Sequence, residues 1–320
     1  EEDLEPGSTA FLVRGANSCY RSEEKLRTLY GEFPANTVNP EAEYFDQTDI
    51  YHLQQAAYEA GKKYVILMVF DGMDWQTTWA AATYQARKVA YDQGRGTGLA
   101  IQDYRGVPTD FGYMVTAPHN SGTEVDVNGQ VVLSAGGTLK GGYDWKLAGI
   151  TPWDVCSDPP YIIGQSRQTP HAYVDSAASA VAMTAGKKTF NGAINVDPHG
   201  KPITTLAHQV QQQGKWAGVV TSVPISHATP ACAYAHNVSR SDYQDITRDM
   251  LGLPSVFHKR DPLPGLDLLI GAGWGEEKSA DKAQGANFVP GNRYLTDGDL
   301  HDINAAHGGR YQVAIRTAGV

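Results

Sequence analysis

Asp175 and Ser176 stand directly ahead of a run of small side chains, in the stretch HAYVDSAASAVAMTAGKK at residues 171–188. A serine at the start of a helix lies beside unsatisfied N–H groups and the positive end of the helix dipole, and both favour an anion. The same pattern is typical of an ordinary helix in which either residue is the N-cap. The pair therefore predicts a capped helix, a phosphate-like anion site, or both.

Polar residues also follow two predicted strands. Asp71 comes after the apolar run YVILMVF, and His227, Thr229 and Arg240 come after WAGVVTSV. In a parallel sheet the loops beyond the strands' carboxyl ends lie at the same edge. A carboxylate there can bridge divalent ions or simply cap the next helix, and an arginine suits bidentate binding of a tetrahedral oxyanion. The spacing thus predicts an anion and metal site if the sheet is parallel.

The elements that must position these residues alternate along the chain. A fully buried strand is predicted at 64–70, further strands at 216–223 and 266–274, and helices at 46–63, 75–94, 176–186, 203–214 and 241–252. This alternation predicts an α/β fold with a mostly parallel central sheet flanked by helices on both faces. We expect a single α/β domain over 1–320, with an N-terminal arm at about 1–45 and an insertion at about 94–170. A strand at 110–116 and a hairpin around Asn128 and Gly129 are expected in that insertion.

Composition excludes several classes of protein. The formal net charge of −9 argues against a general nucleic-acid or anionic-membrane surface. The longest apolar run is far too short for a membrane span. Cys19, Cys156 and Cys232 lack metal-site spacing; the first two could pair in an oxidising compartment, with Cys232 as a buried small hydrophobe. A chain that begins EEDLEPG looks processed, which is compatible with export.

Three segments, FDGMDW, VDSAASAVAMTAGKKTFNGAINVD and VTSVPISHATPACAYAHNVSR, resemble in the same order the N-terminal signatures of the alkaline phosphatases. The resemblance implies metal-dependent hydrolysis of phosphate monoesters through a phosphoserine intermediate, with zinc and magnesium as cofactors. It implies that Ser176 is the nucleophile and a zinc ligand, that Arg240 clamps the phosphate, and that Asp175 helps to hold Arg240. Asp71 would be shared between a zinc and the third, usually magnesium, site, to which Thr229 would also be a ligand.

Two positions differ from many members of that family. His227 stands where some members carry Asp, and imidazole favours zinc over magnesium. The third metal is therefore left open between magnesium and zinc, with His227 as its ligand or close neighbour. Asp74 replaces a common Gly, either as an extra carboxylate near the metals or as a solvated residue at a helix start.

The resemblance also implies metal ligands that follow Val320, so these residues alone are not expected to complete the metal site. His258, His301 and His307 are expected in surface or loop roles. Expected partners are small phosphate esters and, as is common in the family, a second copy in a homodimer; the expected location is periplasmic or secreted. Alternatives are a phosphodiesterase of the same superfamily and a non-catalytic phosphate-binding protein. A sulfatase would need a Cys-x-Pro-x-Arg motif, which neither Cys156 nor Cys232 provides.

Overall fold

The computed structural model describes residues 12–103, 110–115, 122–136, 140–154 and 174–316. The chain divides into two compact units. One comprises Glu1–Asn120 and Thr138–Val174, and the other comprises Ser121–Gly137 and Asp175–Val320. Among the described residues, no helix has the length and apolar character needed to cross a membrane.

The first unit contains short helices and one parallel strand pair. Its helices are α1 (Glu23–Tyr30), α2 (Gln47–Glu59), α3 (Trp75–Ala86), α4 (Ala100–Asp103) and α5 (Trp145–Ala148), and its strands are β1 (Phe45–Asp46) and β2 (Gly112–Tyr113). Tyrosines dominate its core, and the hydroxyls of Tyr20 and Tyr30 donate to Asp46 at 2.8 and 2.7 Å. Asp46 also caps α2 in a capping box with Asp49. Much of the expected N-terminal arm is therefore packed into this core.

The second unit contains the remaining elements. Its helices are α6 (Ser176–Ala185), α7 (Leu206–Gln212), α8 (Ala228–Ala231), α9 (Tyr243–Leu251) and α10 (Asp297–Ile303). Its strands are β3 (Glu124–Asp126), β4 (Val131–Ser134), β5 (Gly218–Pro224), β6 (Leu268–Ala272), β7 (Glu277–Lys278) and β8 (Gly291–Asn292). The β3–β4 and β7–β8 pairs are antiparallel, and β5–β6 is parallel. The predicted hairpin and the predicted parallel strands 216–223 and 266–274 are thus confirmed.

The hairpin β3–β4 belongs to the second unit, although the rest of the expected insertion that the structure describes lies in the first. Val125 and Val132 pack against a buried cluster that includes Phe190 and Val238. The Gln130 side chain donates to Asn237 Oδ1 at 3.1 Å and accepts from Val238 N at 3.0 Å. The hairpin thereby supports the segment that leads to Arg240.

The structure differs from the sequence prediction at the apolar run 64–70. These residues form no strand, and Tyr64, Ile66 and Met68 are 74%, 79% and 71% exposed. A strand is buried by neighbours on its edges and faces, and none of the described strands pairs with this run. The described sheets are all two-stranded, so the larger central sheet stays a prediction.

Candidate functional site

Helix α6 presents Asp175 and Ser176 at its N-terminus. Asp175 is the N-cap, and its Oδ1 atom accepts from the backbone N of Ala178 at 2.8 Å. Ser176 is the first helical residue, so its hydroxyl lies in the first turn, where the helix dipole is positive. The helix ends at Gly186, whose φ of 65° is the left-handed conformation that favours glycine.

Small side chains let α6 lie deep inside its unit. Ala177, Ala178, Ala180 and Ala182 are each no more than 1% exposed. Beneath the first turn, the buried Cys232 thiol donates to the Ala177 carbonyl at 3.5 Å, and burial raises the thiol's pKa. Cys232 is therefore a buried small side chain, as expected from the sequence. The possible pairing of Cys19 with Cys156 is not described, because Cys156 lies outside the described residues.

Asp175 does more than cap the helix. Its Oδ2 atom accepts from the backbone N of Gly192 and from Nη1 of Arg240, both at 3.0 Å. Its own backbone N donates to Oδ1 of Asn191 at 2.9 Å. Asp175 thus holds the 191–192 turn and the guanidinium group of Arg240 against the start of α6.

Arg240 completes a three-residue cluster. Its Nη1 atom lies 2.8 Å from Ser176 Oγ, and its backbone N donates to the Gly192 carbonyl at 2.7 Å. About a third of its side chain is exposed, so the guanidinium is held but still reachable from solvent. The structure therefore brings Asp175, Ser176 and Arg240 together into an arrangement that can bind a tetrahedral oxyanion beside a hydroxyl.

His227 and Thr229 lie at the start of the short helix α8, directly after β5. The ring of His227 stacks on Tyr243, with centroids 5.6 Å apart. Burial, then the positive charges of Arg240 and Arg293, lower the pKa of His227. Its imidazole is therefore neutral at pH 7, which is the protonation state that a metal ligand requires.

The charged side chain of Arg293 lies beside the ring of Tyr243, and the sequence did not indicate this residue. Arg293 lies over Tyr243 at 4.9 Å, and its Nη1 atom donates to Glu276 Oε1 at 2.9 Å. Neither Arg293 nor Glu276 lies in a sequence motif that indicates a functional residue. The Asn191-Gly192 turn was also missed, although an Asn-Gly pair after a helix is a recognisable turn signal.

Asp71 belongs to the first unit, where it is exposed in the turn before α3. Gly72, the next residue, has a φ of 77°. Asp74 is the N-cap of α3, and its Oδ1 atom accepts from the backbone N and hydroxyl of Thr77 at 2.7 and 2.6 Å. Asp74 therefore lies at a helix start, which is one of the two roles predicted for it.

The remaining histidines expected on the surface have different environments. His301 and His307 are exposed and stack on each other, with ring centroids 4.2 Å apart. His258 is half-buried in the loop after α9, and its Nε2 atom lies 3.1 Å from Nδ1 of the buried His236. His258 therefore lies in a loop, as predicted, but its contact with the buried His236 was not predicted.

Residues 156–293 match a family model described as alkaline phosphatase. Alkaline phosphatase 4 of Bacillus subtilis strain 168 is 38% identical over 102 residues, which are 31% of this chain and 20% of the relative. The alkaline phosphatase of Escherichia coli K12 is 39% identical over 83 residues, 26% of this chain and 18% of the relative. The matched part of this chain thus spans about a fifth of the length of these relatives.

Two solved structures show the same partial likeness. A cold-active alkaline phosphatase from a psychrophile, Shewanella sp., is 43% identical over 25% of this chain and 20% of its own, with a TM-score of 0.24. A TAB5 alkaline phosphatase mutant with Mg bound in the M3 site is 35% identical over 24% of this chain and 22% of its own, also with a TM-score of 0.24.

Proposed function

We propose that this chain, which belongs to the alkaline phosphatase family, carries the nucleophile and the phosphate clamp of a metal-dependent phosphate monoester hydrolase. The observation that carries the proposal is the contact of Arg240 with Ser176 Oγ at 2.8 Å, braced by Asp175 at 3.0 Å. This contact joins a hydroxyl that can attack phosphorus to a cation that can bind the phosphoryl oxygens.

Ser176 is the proposed nucleophile. Its Oγ atom loses its proton and forms a bond to phosphorus while the bond from phosphorus to the ester oxygen breaks. The leaving oxygen keeps the electron pair of that bond and takes up a proton, so the alcohol is released. A water molecule then attacks the phosphoserine, and inorganic phosphate leaves with the serine hydroxyl regenerated. The partly exposed side of Arg240 gives a small phosphate ester access to the hydroxyl.

Arg240 is the proposed clamp for the transferred group. Its fixed positive charge neutralises the phosphoryl oxygens, and the positive end of the α6 dipole acts in the same direction. Asp175 keeps the guanidinium in place before any phosphate binds, so little reorganisation is needed on binding.

The donor groups fit divalent metals. His227 offers a neutral imidazole, Thr229 and Ser176 offer hydroxyls, and Asp71 offers an exposed carboxylate. We propose that Ser176 would help to hold a zinc ion, and that Thr229 and His227 would help to hold magnesium or zinc; Asp71, which lies in the first unit, stays a metal ligand predicted from the sequence. When bound, these ions would favour the serine alkoxide and activate water.

The predictions from the sequence on domain organisation, assembly, location and substrates belong to the same proposal. We propose a single α/β domain whose parallel sheet extends beyond the β5–β6 pair, a homodimeric assembly, a periplasmic or secreted location, and small phosphate esters as substrates.

Ser176→Ala tests the nucleophile. In the purified full-length protein, supplied with zinc and magnesium, p-nitrophenyl phosphate hydrolysis should fall at least about 1,000-fold, because other groups cannot replace the attacking oxygen. Ser222→Ala, at an exposed position on β5, is the matched control and should keep full activity. Undiminished hydrolysis by Ser176→Ala would refute the assignment. Phosphate binding without turnover in the unmodified full-length protein would instead favour a non-catalytic phosphate-binding protein.

A further inference from the structure

A cluster of two histidines and one aspartate lies in the second unit and contains none of the residues of the proposed phosphate site. His236 precedes the segment that leads to Arg240, Asp249 lies on α9, and His258 follows that helix. One potential ligand atom from each of the three side chains lies within 4.8 Å of the others. His236 and Asp249 are 5% and 0% exposed, so this is an interior cluster rather than an exposed acidic patch.

The hydrogen bonds of His236 determine which of its nitrogens faces the cluster. Its Nε2 atom lies 3.0 Å from the Ile203 carbonyl, which can only accept a hydrogen bond, so Nε2 carries the proton. The pKa of His236 is lowered to about 3, chiefly by burial, and the ring is therefore neutral at pH 7. Its Nδ1 lone pair then points towards His258 Nε2, 3.1 Å away. A backbone carbonyl that orients one nitrogen while the other faces a metal is the usual arrangement for a histidine ligand.

Asp249 supplies a buried carboxylate that the protein satisfies incompletely. Its Oδ2 atom accepts from the backbone N of His236 at 2.9 Å and lies 3.8 Å from His258 Nε2. The side chain of Ser255 favours the charged form of this carboxylate. The buried Oδ1 atom nevertheless has no hydrogen-bond partner of normal geometry among the described residues. Burial raises the pKa of Asp249 to about 7, and a bound cation would favour the charged carboxylate.

We propose that His236, Asp249 and His258 bind one zinc ion at a structural site separate from the phosphate site. Two imidazole nitrogens and a carboxylate oxygen are a donor set that zinc accepts. Two ligands at zinc-to-nitrogen distances of roughly 2.0–2.1 Å in tetrahedral geometry lie about 3.3 Å apart, close to the 3.1 Å between the two histidine nitrogens. A bound ion would tie α9 and the following loop to the segment that carries Arg240.

The competing interpretation is a plain hydrogen bond from His258 Nε2 to His236 Nδ1 with no metal. The two interpretations differ in zinc stoichiometry. After removal of metals with a chelator and reloading with zinc, the unmodified protein should retain one more equivalent by elemental analysis than His258→Gln. His301→Gln, which changes an exposed histidine of the same unit, should retain the same amount as the unmodified protein.

Two further variants separate this site from the proposed catalytic metals and from misfolding. His227→Ala should leave intact the one-equivalent difference that His258→Gln causes. His258→Cys replaces one zinc ligand with another, so it should restore the lost equivalent and give a thiolate-to-metal absorption band with cobalt(II) as the probe. Equal zinc content in His258→Gln and the unmodified protein would overturn the proposal, as would a His258→Cys protein that folds but recovers no zinc.

Discussion

The Nη1 atom of Arg240 lies 2.8 Å from the Oγ atom of Ser176, across 64 positions of sequence. The contact depends on elements that are themselves fixed by local interactions. Asp175 caps α6 and binds the guanidinium through its second oxygen, while Gly192 accepts the backbone N–H of Arg240. The Arg240 guanidinium, which we propose as the phosphate clamp, is therefore preorganised by the same carboxylate that begins the helix.

Arg240→Lys should weaken the binding of inorganic phosphate about 10- to 100-fold. Lysine keeps the positive charge but cannot place a planar fork against Ser176, Asp175 and an oxyanion at once. Isothermal titration of the metal-loaded protein with phosphate measures the effect. Arg310→Lys is the matched control, because Arg310 forms an exposed ion pair with Asp267 in the same unit. An unchanged affinity in Arg240→Lys would exclude the clamp role.

Two substitutions of Asp175 should lower the free energy of unfolding by different amounts. Asp175→Ala removes the helix cap, the Gly192 hydrogen bond and the ion pair, and should cost about 2–3 kcal/mol, mostly from the cap and the Gly192 bond because the ion pair is partly exposed. Asp175→Asn can keep the cap but presents an amide to the other two donors, so about half that loss is expected. Urea denaturation measures both variants. Equal losses would show that the cap contributes little.

Much of the local structure could be predicted from the sequence. Periodicity and turn residues correctly indicate α2, α3, α6, α7 and α9, the hairpin β3–β4 and the parallel strands β5 and β6. These signals are local, because a cap, a turn or an amphipathic face depends on residues a few positions apart. The run 64–70 shows the limit: its apolar composition indicates a strand, but strand formation also requires a partner that composition cannot supply.

The site was predictable to a similar extent. A hydroxyl at a helix start and an arginine after a strand could be singled out as residue types, and the family resemblance suggested that Asp175 meets Arg240. Neither indicated the Gly192 and Asn191 contacts, nor the pairing of His236 with His258. Those contacts join segments separated by about 15 to 50 positions, and only the packing of the unit determines them.

Ala180→Leu should destabilise the second unit. Ala180 is 1% exposed in the middle of α6, and the flanking Val181 and Ala182 are fully buried. Adding three carbons to a close-packed position typically costs about 1–3 kcal/mol, which should lower the melting temperature by several degrees. Ala283→Leu, at an exposed position of the same unit, should leave it nearly unchanged. Equal melting temperatures for both variants would contradict the close packing of α6.

Asp242 should make the protein less stable as the pH rises from about 4 to about 8. Burial, followed by repulsion from Asp245, raises its pKa from 3.8 to about 8. Asn237 and Arg248 oppose the rise, while Asp249 adds to it. Between the two pKa values the folded protein binds more protons than the unfolded chain, so the free energy of unfolding falls with increasing pH.

Asp242→Asn should remove this dependence because the amide stays neutral throughout. The Oδ2 atom of Asp242 accepts from Nδ2 of Asn237 at 2.8 Å, and the amide oxygen of asparagine can accept this bond in its place. The side chain makes no capping hydrogen bond to α9, so the substitution should cost little stability. The urea midpoint of Asp242→Asn should exceed that of the unmodified protein at pH 8 by more than at pH 5. Asp302→Asn, at an exposed position, is the control. Its urea midpoint should differ from that of the unmodified protein by the same amount at pH 5 and at pH 8. A constant difference between Asp242→Asn and the unmodified protein across this range would show that Asp242 does not titrate there, and that the cost of burying its charge is met by neighbours such as Arg248.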